Sequence, residues 1–599
     1  MRNTRLVKAF ALLAAAVLLV VSFSACGGTE VPKGSVTVSF MYGGDYSVVK
    51  LYGRLIEEFN KTVGQEKKIV VDGIPKTGSI DSILAQQLPG NNGPDVMAMT
   101  DKEFKKYAGY LEDLTGRIDD SVLADFYPNA LSRYHYNVET TTSNPGDPLY
   151  AIPSYNNTTI LYYNKTALEK NGVICISVNE EDLPAFNAGT GKDANGKTKS
   201  EYGITLDVPA KGFFRSITPY VAEPDDRSAS GWTMPSDDEV LIFNDRIVMN
   251  WDELEDVGLL CTQERNAKSA TKYGYYSEFW FNYGWTVGGD CIEDVTGEGD
   301  WTYALCNDLP NYIVGKGKTY TGLYSGIVYN AGDTLEVRDI VKASKGDTLS
   351  FDTDNSSFFE FTVNGRAAEV RDFSKEIADG TLTELPSMKE AFSRFCHLAG
   401  VGGSNVCPYP SAFTGSNAIY YFTSGSLAFL LEYVANAGSI DEMTEDEWGI
   451  AQIPAYKTYT DPSDPYCDTV AKQGRIASHS MGYPVAINSK TIVKDQALEF
   501  VKWLATDGQR FMVEQGYCSS RKSDRDTYLA SSTYRNALAV IESSEVSSAG
   551  DWWYMPDTAW IDNWANKLNG KVRFGLMDYE TFLYSSIEET NKRLAEYKK

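Results

Sequence analysis

Val36-Thr37-Val38-Ser39-Phe40-Met41-Tyr42-Gly43-Gly44-Asp45 is a β-branched and aromatic run that two glycines break. Such a run reads as a strand with a turn behind it. Val48, Leu51, Tyr52, Leu55, Ile56 and Phe59 then recur at helical spacing, which predicts an amphipathic helix. Lys68 to Val71 reads as a second strand and Ile80 to Leu88 as a second helix. Gly93-Pro94-Asp95-Val96-Met97-Ala98-Met99 reads as a turn feeding a short apolar strand. Strands and helices alternating at this length predict an α/β fold with a parallel sheet, whose ligands sit in a crevice beyond the carboxyl ends of the strands. Asp45 and Asp101 stand at two such ends.

Upstream, Arg2, Arg5 and Lys8 precede an apolar run of about 13 residues, Ala9 to Val21, and small residues lead from there into Cys26. Residues 1–25 have the charge, apolar stretch and small-residue order of a secretory signal, and the run is too short to span ~30 Å of hydrocarbon. Phe23-Ser24-Ala25-Cys26 resembles the lipobox of bacterial lipoproteins, with Phe23 where that motif usually has Leu. The resemblance implies lipidation of Cys26, a tether over residues 26–34, and anchoring to the outer face of the cell membrane. Two acyl chains hold where one gives only marginal binding. An ordinary cleaved signal and a free secreted protein is the other reading.

The 599 residues exceed what one core organises, so two or three domains are expected. The formal charge of −26 becomes more negative once the signal is removed, which argues against nucleic acid as a partner and for solubility. The 38 Tyr and 11 Trp supply amphipathic ring surface of the kind carbohydrate sites use, although most aromatics in a large protein pack inside. Eight cysteines follow Cys26, and the close pairs Cys291/Cys306 and Cys396/Cys407 are compatible with bridges that the sequence does not require. No CxxC pair exists and His135, His397 and His479 are scattered, so neither a structural metal nor a cofactor is expected.

Further along, Leu149-Tyr150-Ala151-Ile152-Pro153-Ser154-Tyr155-Asn156-Asn157 runs on through Thr158-Thr159-Ile160-Leu161-Tyr162-Tyr163-Asn164-Lys165. Together with Gly93-Pro94-Asp95-Val96, Trp251-Asp252-Glu253-Leu254, Ser424-Gly425-Ser426-Leu427-Ala428-Phe429, Trp448-Gly449-Ile450-Ala451-Gln452-Ile453-Pro454-Ala455, Gly482-Tyr483-Pro484-Val485-Ala486-Ile487 and the helix Ala497 to Leu504, this order resembles the family-1 extracellular solute-binding proteins of carbohydrate ABC transporters, the maltose-binding-protein-like group. The resemblance implies a two-lobe, periplasmic-binding-protein-like fold in which the chain crosses near Ile152, Ile453 and Gly516. Lobe 1 would comprise 35–152 and 453–515, and lobe 2 residues 153–452 and 516–599. It also implies a monomeric receptor, not an enzyme, that closes on a carbohydrate and presents it to ABC permease subunits.

By position in that pattern, the implied ligand contacts are Tyr42 and Asp45 after the first strand, Met99 and Asp101 after the G-P-D strand, and Tyr155 and Asn157 after the first crossing. Trp280, Trp285, Glu432, Trp553 and Trp560 are the implied contacts of the second lobe, Glu432 standing where the family often has a small residue. Rings would cover the apolar faces of sugars while acids and amides bond hydroxyls.

Lobe 2 is oversized. Residues 312–385 have no counterpart in the resemblance: Thr334 to Val337, Thr348 to Phe351 and Phe358 to Val363 read as strands, and Asn364-Gly365 as a hairpin turn, so a small antiparallel insertion is expected. A second polar insertion, 179–201, reads as mobile. Within it Gly191-Lys192-Asp193-Ala194-Asn195-Gly196-Lys197-Thr198 satisfies GxxxxGK[ST], but it lacks the preceding strand and following helix a phosphate loop requires. GxSxG is absent. A glycosidase or lyase, which requires little more than two carboxylates, and a polysaccharide-binding adhesin are the rival classes.

Overall fold

The computed structural model describes residues 33–44, 46–294, 301–342, 347, 349–351, 361–408, 415–550, 553 and 559–596. Cys26 and Asp45 lie outside them. Contacts divide the chain into two units. The first takes the described residues up to Met99 with Tyr110–Glu112 and Val485–Phe511; the second takes Thr100–Gly109, Asp113–Pro484 and Met512 onward.

In the first unit the strand Val36–Gly44 pairs in parallel with Ile69–Thr77 on one edge and Val96–Ala98 on the other. Pro484–Ile487 then adds antiparallel to Val96–Ala98. The helix Tyr46–Lys61 buries Val48, Leu51, Tyr52, Leu55, Ile56 and Phe59, the stripe its spacing predicts. Phe40 meets Tyr52 and Phe500 edge-on at 5.5 and 5.1 Å, and Phe59 meets Phe500 and Trp503, so helix Lys494–Leu504 packs through aromatic edges. Asp95 explains its place before the strand. Its carboxylate accepts the Ser39 amide at 2.8 Å, the Ser39 hydroxyl at 2.7 Å and the Thr491 hydroxyl, stitching together three segments far apart in sequence.

The second unit is built on a mixed sheet in the order Ser547–Ser548, Ser478–Met481, Asn157–Asn164, Leu427–Tyr433, Tyr273–Tyr276, with Trp448–Ala451 also paired to Asn157–Asn164. All eight residues of Asn157–Asn164 are buried. The helix Trp251–Leu260 starts where the W-D-E-L segment places it, with a capping box between Asn250 and Glu253.

The 312–385 region has a small core of its own, including Tyr312, Val314, Tyr329, Leu335, Ile340 and Phe373. Its base is the antiparallel pair Asn311–Val314 and Leu382–Leu385. Strand Phe361–Val363 pairs with Leu349–Phe351 and turns at Asn364-Gly365, both at positive φ, into Arg366–Ala367. Thr334 to Val337 departs from expectation: Thr334 makes a single bridge to Ile313, and Val337 begins the short helix Val337–Ile340, whose Asp339 carboxylate collects Tyr329 and the Tyr324 and Ser325 amides. The 179–201 segment is packed rather than loose, because Leu183 and Phe186 are buried against Val178, Ile204 and Phe214. In the GxxxxGK[ST] stretch, the Asp193 carboxylate accepts the Ser177, Asn195 and Lys197 amides and the Tyr202 hydroxyl, so the loop folds around its own acid. The eight cysteines after Cys26 are all unbridged, seven of them buried.

Asp95→Ala is expected to lower stability by about 2 kcal/mol in urea unfolding, since it leaves the Ser39 amide without its acceptor, while Asp95→Asn, which keeps one oxygen, loses less.

Candidate functional site

Three strand termini of the second unit come together at one edge of its sheet. Asn157 begins its strand opposite Met481, and Glu432 and Tyr433 end theirs opposite Ile160 and Thr159. Leu430 lies beside Tyr276, after which the chain enters the aromatic segment Phe279 to Trp285. Parallel pairing of Leu427–Tyr433 with Tyr273–Tyr276 puts both carboxyl ends on the same side, which is where an α/β sheet presents ligand contacts.

His479 is the pin of this edge. Its ring is 5.7 Å from Tyr433, 6.1 Å from Phe279, 5.3 Å from Phe281 and 6.0 Å from Trp285. Burial, aided by Arg133, pushes its pKa down to about 3, so the imidazole is neutral at physiological pH. A neutral ring has one donor and one acceptor. Nε2 lies 3.3 Å from the Ala549 carbonyl, which only accepts, so Nε2 carries the hydrogen and Nδ1 accepts the Tyr433 hydroxyl at 2.8 Å. Tyr433 is thereby fixed with its oxygen still able to accept.

A second cluster surrounds Asp101. This residue opens the helix Asp101–Tyr107, whose N-cap Thr100 forms a capping box with Glu103. The Asp101 carboxylate accepts from Arg133 at 2.8 Å, from the Tyr134 hydroxyl at 2.9 Å and from the Gly482 amide at 2.8 Å. Arg133 also donates to the carbonyl and hydroxyl of Ser480. Position 482 must be glycine, because a Cβ there would run into the Tyr134 hydroxyl and the Asp101 carboxylate. Since Ser480 adjoins His479, this ion pair sets the strand that carries the pin.

Tyr155 is buried, stacked on Tyr483 at 5.0 Å and edge-on to Tyr517 at 5.2 Å. Asn157 accepts the Ala435 amide at 3.0 Å. Glu432 is partly exposed and accepts its neighbour's amide, that of Tyr433, at 2.9 Å; burial pushes its pKa up to about 7, with Glu278 adding to the rise. Glu432 therefore both donates and accepts near neutral pH, which suits a hydroxyl ligand.

The tryptophans sit deeper. Trp285 packs on Phe281 at 4.4 Å beside the pin. Trp280 packs on Trp564 at 4.4 Å, Trp553 stacks on Phe104 at 6.0 Å, and Trp560 donates to the Thr590 hydroxyl at 3.0 Å; each is 3–4% exposed. Tyr42, between Phe40 and Tyr52, and Met99 are buried in the first unit. The structure thus gathers Asn157, Trp285 and Glu432 at the strand termini and Asp101 and Tyr155 beside residues 480–483, while Trp280, Trp553 and Trp560 lie inside. Sequence reasoning passed over His479, Tyr433, Phe279, Arg133 and Tyr483. The signal available for Tyr433 was its place beside Glu432 at the end of a strand; nothing local marked His479 or Arg133, whose roles arise from distant partners. Among the described residues no cluster of His, Cys, Asp and Glu is arranged to hold a metal, and no helix is long and apolar enough to cross a membrane.

Residues 54–286 match the family described as bacterial extracellular solute-binding protein. No curated protein sequence matches the chain. Among solved structures it is similar to the ABC substrate-binding protein Lmo0181 from Listeria monocytogenes in complex with cycloalternan, at 14% identity, with 94% of this chain and 99% of that one covered and a TM-score of 0.52. The GacH receptor of Streptomyces glaucescens, solved unliganded and with acarbose, and the cyclic alpha-maltosyl-1,6-maltose binding protein from Arthrobacter globiformis each give 15% identity, 94% and 100% coverage and a TM-score of 0.52. Residues 54–286 are thus similar to the bacterial extracellular solute-binding family, and the chain shares the fold of these solved substrate-binding proteins.

Proposed function

We propose that this protein is an extracellular receptor, anchored through a lipid on Cys26, that binds an oligosaccharide between two lobes and delivers it unchanged to an ABC permease. The observation that carries this reading is the convergence of Phe279, Glu432, Tyr433 and Asn157 at one sheet edge, with His479 holding the tyrosine. Partly exposed rings cover sugar faces, and Glu432 and the Tyr433 oxygen bond hydroxyls. The fold shared with structures solved with cycloalternan and acarbose supports a glucan-like ligand. Lobe closure, as in other two-lobe receptors, is the message the permease reads.

Calorimetric titration with cycloalternan, acarbose and linear glucans tests this. One saturable site is expected, with the sugar recovered intact. Phe279→Ala and Tyr433→Ala are expected to weaken binding by about 10-fold or more, in line with loss of a ring contact and its buried area. Products of cleavage, or binding confined to insoluble polymer, overturn the receptor reading in favour of a hydrolase or an adhesin.

Glu432 gives the site a pH dependence. The ionised carboxylate is the stronger acceptor, so affinity is expected to rise as pH increases through about 7 and to be level across that range in Glu432→Gln. Stability runs the other way. The raised pKa means that the folded chain holds this proton more tightly than the unfolded chain, so the stabilisation is complete below about pH 4.5 and is lost as pH rises to about 7. Thermal unfolding of the wild type and Glu432→Gln over pH 4 to 8 reads this out.

A further inference from the structure

A cleft of about 120 Å³, room for about four waters, opens beside the N-terminal end of helix Trp251–Leu260, and none of the strand-end residues described above lines it. Lys211, Lys457 and Tyr459 are among the residues that line it. The two ammonium groups stand 4.6 and 5.4 Å from the centroid of the Tyr459 ring. Each makes one hydrogen bond to a backbone carbonyl: Lys211 donates to Pro465 and Lys457 to Val248, both at 2.9 Å. Among the described residues neither has a carboxylate ion-pair partner. An ammonium has three donors, so each lysine keeps two unused N–H groups. Lys211 is 6% exposed, and burial pulls its pKa below the ordinary lysine value.

The acids of the cleft are already engaged. Glu253 accepts the Gly212, Phe213 and Asn250 amides and the Tyr459 hydroxyl. Asp252 pairs with Arg394, and Asp256 with Arg215 and the Trp232 indole. The helix end is closed by its own capping box and offers no separate anion hole. The unused hydrogen-bonding capacity identified in the cleft is therefore of the donor kind. Glu253, Asp464 and Asp468 act on Lys211 electrostatically, which favours a single negative charge over a multiply charged anion.

We infer that this cleft is a second ligand site, and that it takes a monocarboxylate whose two oxygens bridge the ammonium groups of Lys211 and Lys457 over the Tyr459 ring. The inference stands apart from the sugar reading, because the two sites share no residue.

Titration of the whole protein with acetate, glucuronate, glucose and inorganic phosphate, followed by calorimetry and ligand-observed NMR, tests it. Saturable one-to-one binding of acetate and glucuronate is expected, with glucose and phosphate at least tenfold weaker. Lys211→Met is expected to lose binding by tenfold or more and Lys457→Met by about fivefold, while both unfold at the wild-type temperature and bind oligosaccharide as before. Should Lys211→Met fail to fold, the half-exposed Lys457→Met carries the test. No saturable carboxylate binding, an unchanged affinity in the folded variants, or tighter binding of phosphate overturns the inference.

Discussion

The pairing of Asn157–Asn164 governs the second unit. This strand is buried throughout and is hydrogen-bonded along both edges, to Leu427–Tyr433 on one side and to Ser478–Met481 and Trp448–Ala451 on the other. A shift of one residue would turn every side chain of a strand to the opposite face. The register that sets Tyr433 against Thr159 and Met481 against Asn157 is therefore what brings the Tyr433 hydroxyl to the His479 ring. The Asp101–Arg133 pair adds a second hold on the same region through Ser480 and Gly482.

Much of the framework was legible because local pattern and tertiary role coincide. The stripe from Val48 to Phe59 is both helical in period and buried, and Asn364-Gly365 supplies the two positive φ values its turn requires. Glu432 was named only by its position in the resembled pattern; its place at a strand end, where burial acts on its carboxyl, came from the structure. Reading failed where a neighbour far along the chain decides the outcome. Thr334 to Val337 has strand composition, yet Asp339 draws donors around a short helix instead. Residues 179–201 are polar on average, and two apolar side chains, Leu183 and Phe186, suffice to pack them. His479 and Arg133 carry no local motif; their meaning depends on partners more than 40 and 30 residues away, respectively.

The placement of the indole rings is likewise decided by partners far along the chain. Trp280 and Trp560 offer large apolar surfaces, and the fold uses both against Trp564. Tyrosine and phenylalanine at the strand termini are left partly exposed, with a hydroxyl or an edge to offer. Aromatic content by itself does not say which rings the fold buries and which it leaves partly exposed.

Asn311–Val314 and Leu382–Leu385 run side by side in opposite directions, so about 70 residues leave the body of the protein and return to it at one place. Antiparallel neighbours lie only ~5 Å apart, a gap that a tight turn would also close. Beyond that doorway Val337, Val341 and Phe361 join the same buried cluster as Ile160, Tyr162 and Leu430, so a change in sequence there reaches the main sheet through packing. Descendants are free to vary the exposed surface of this segment, while the side chains that join the shared core are held to it.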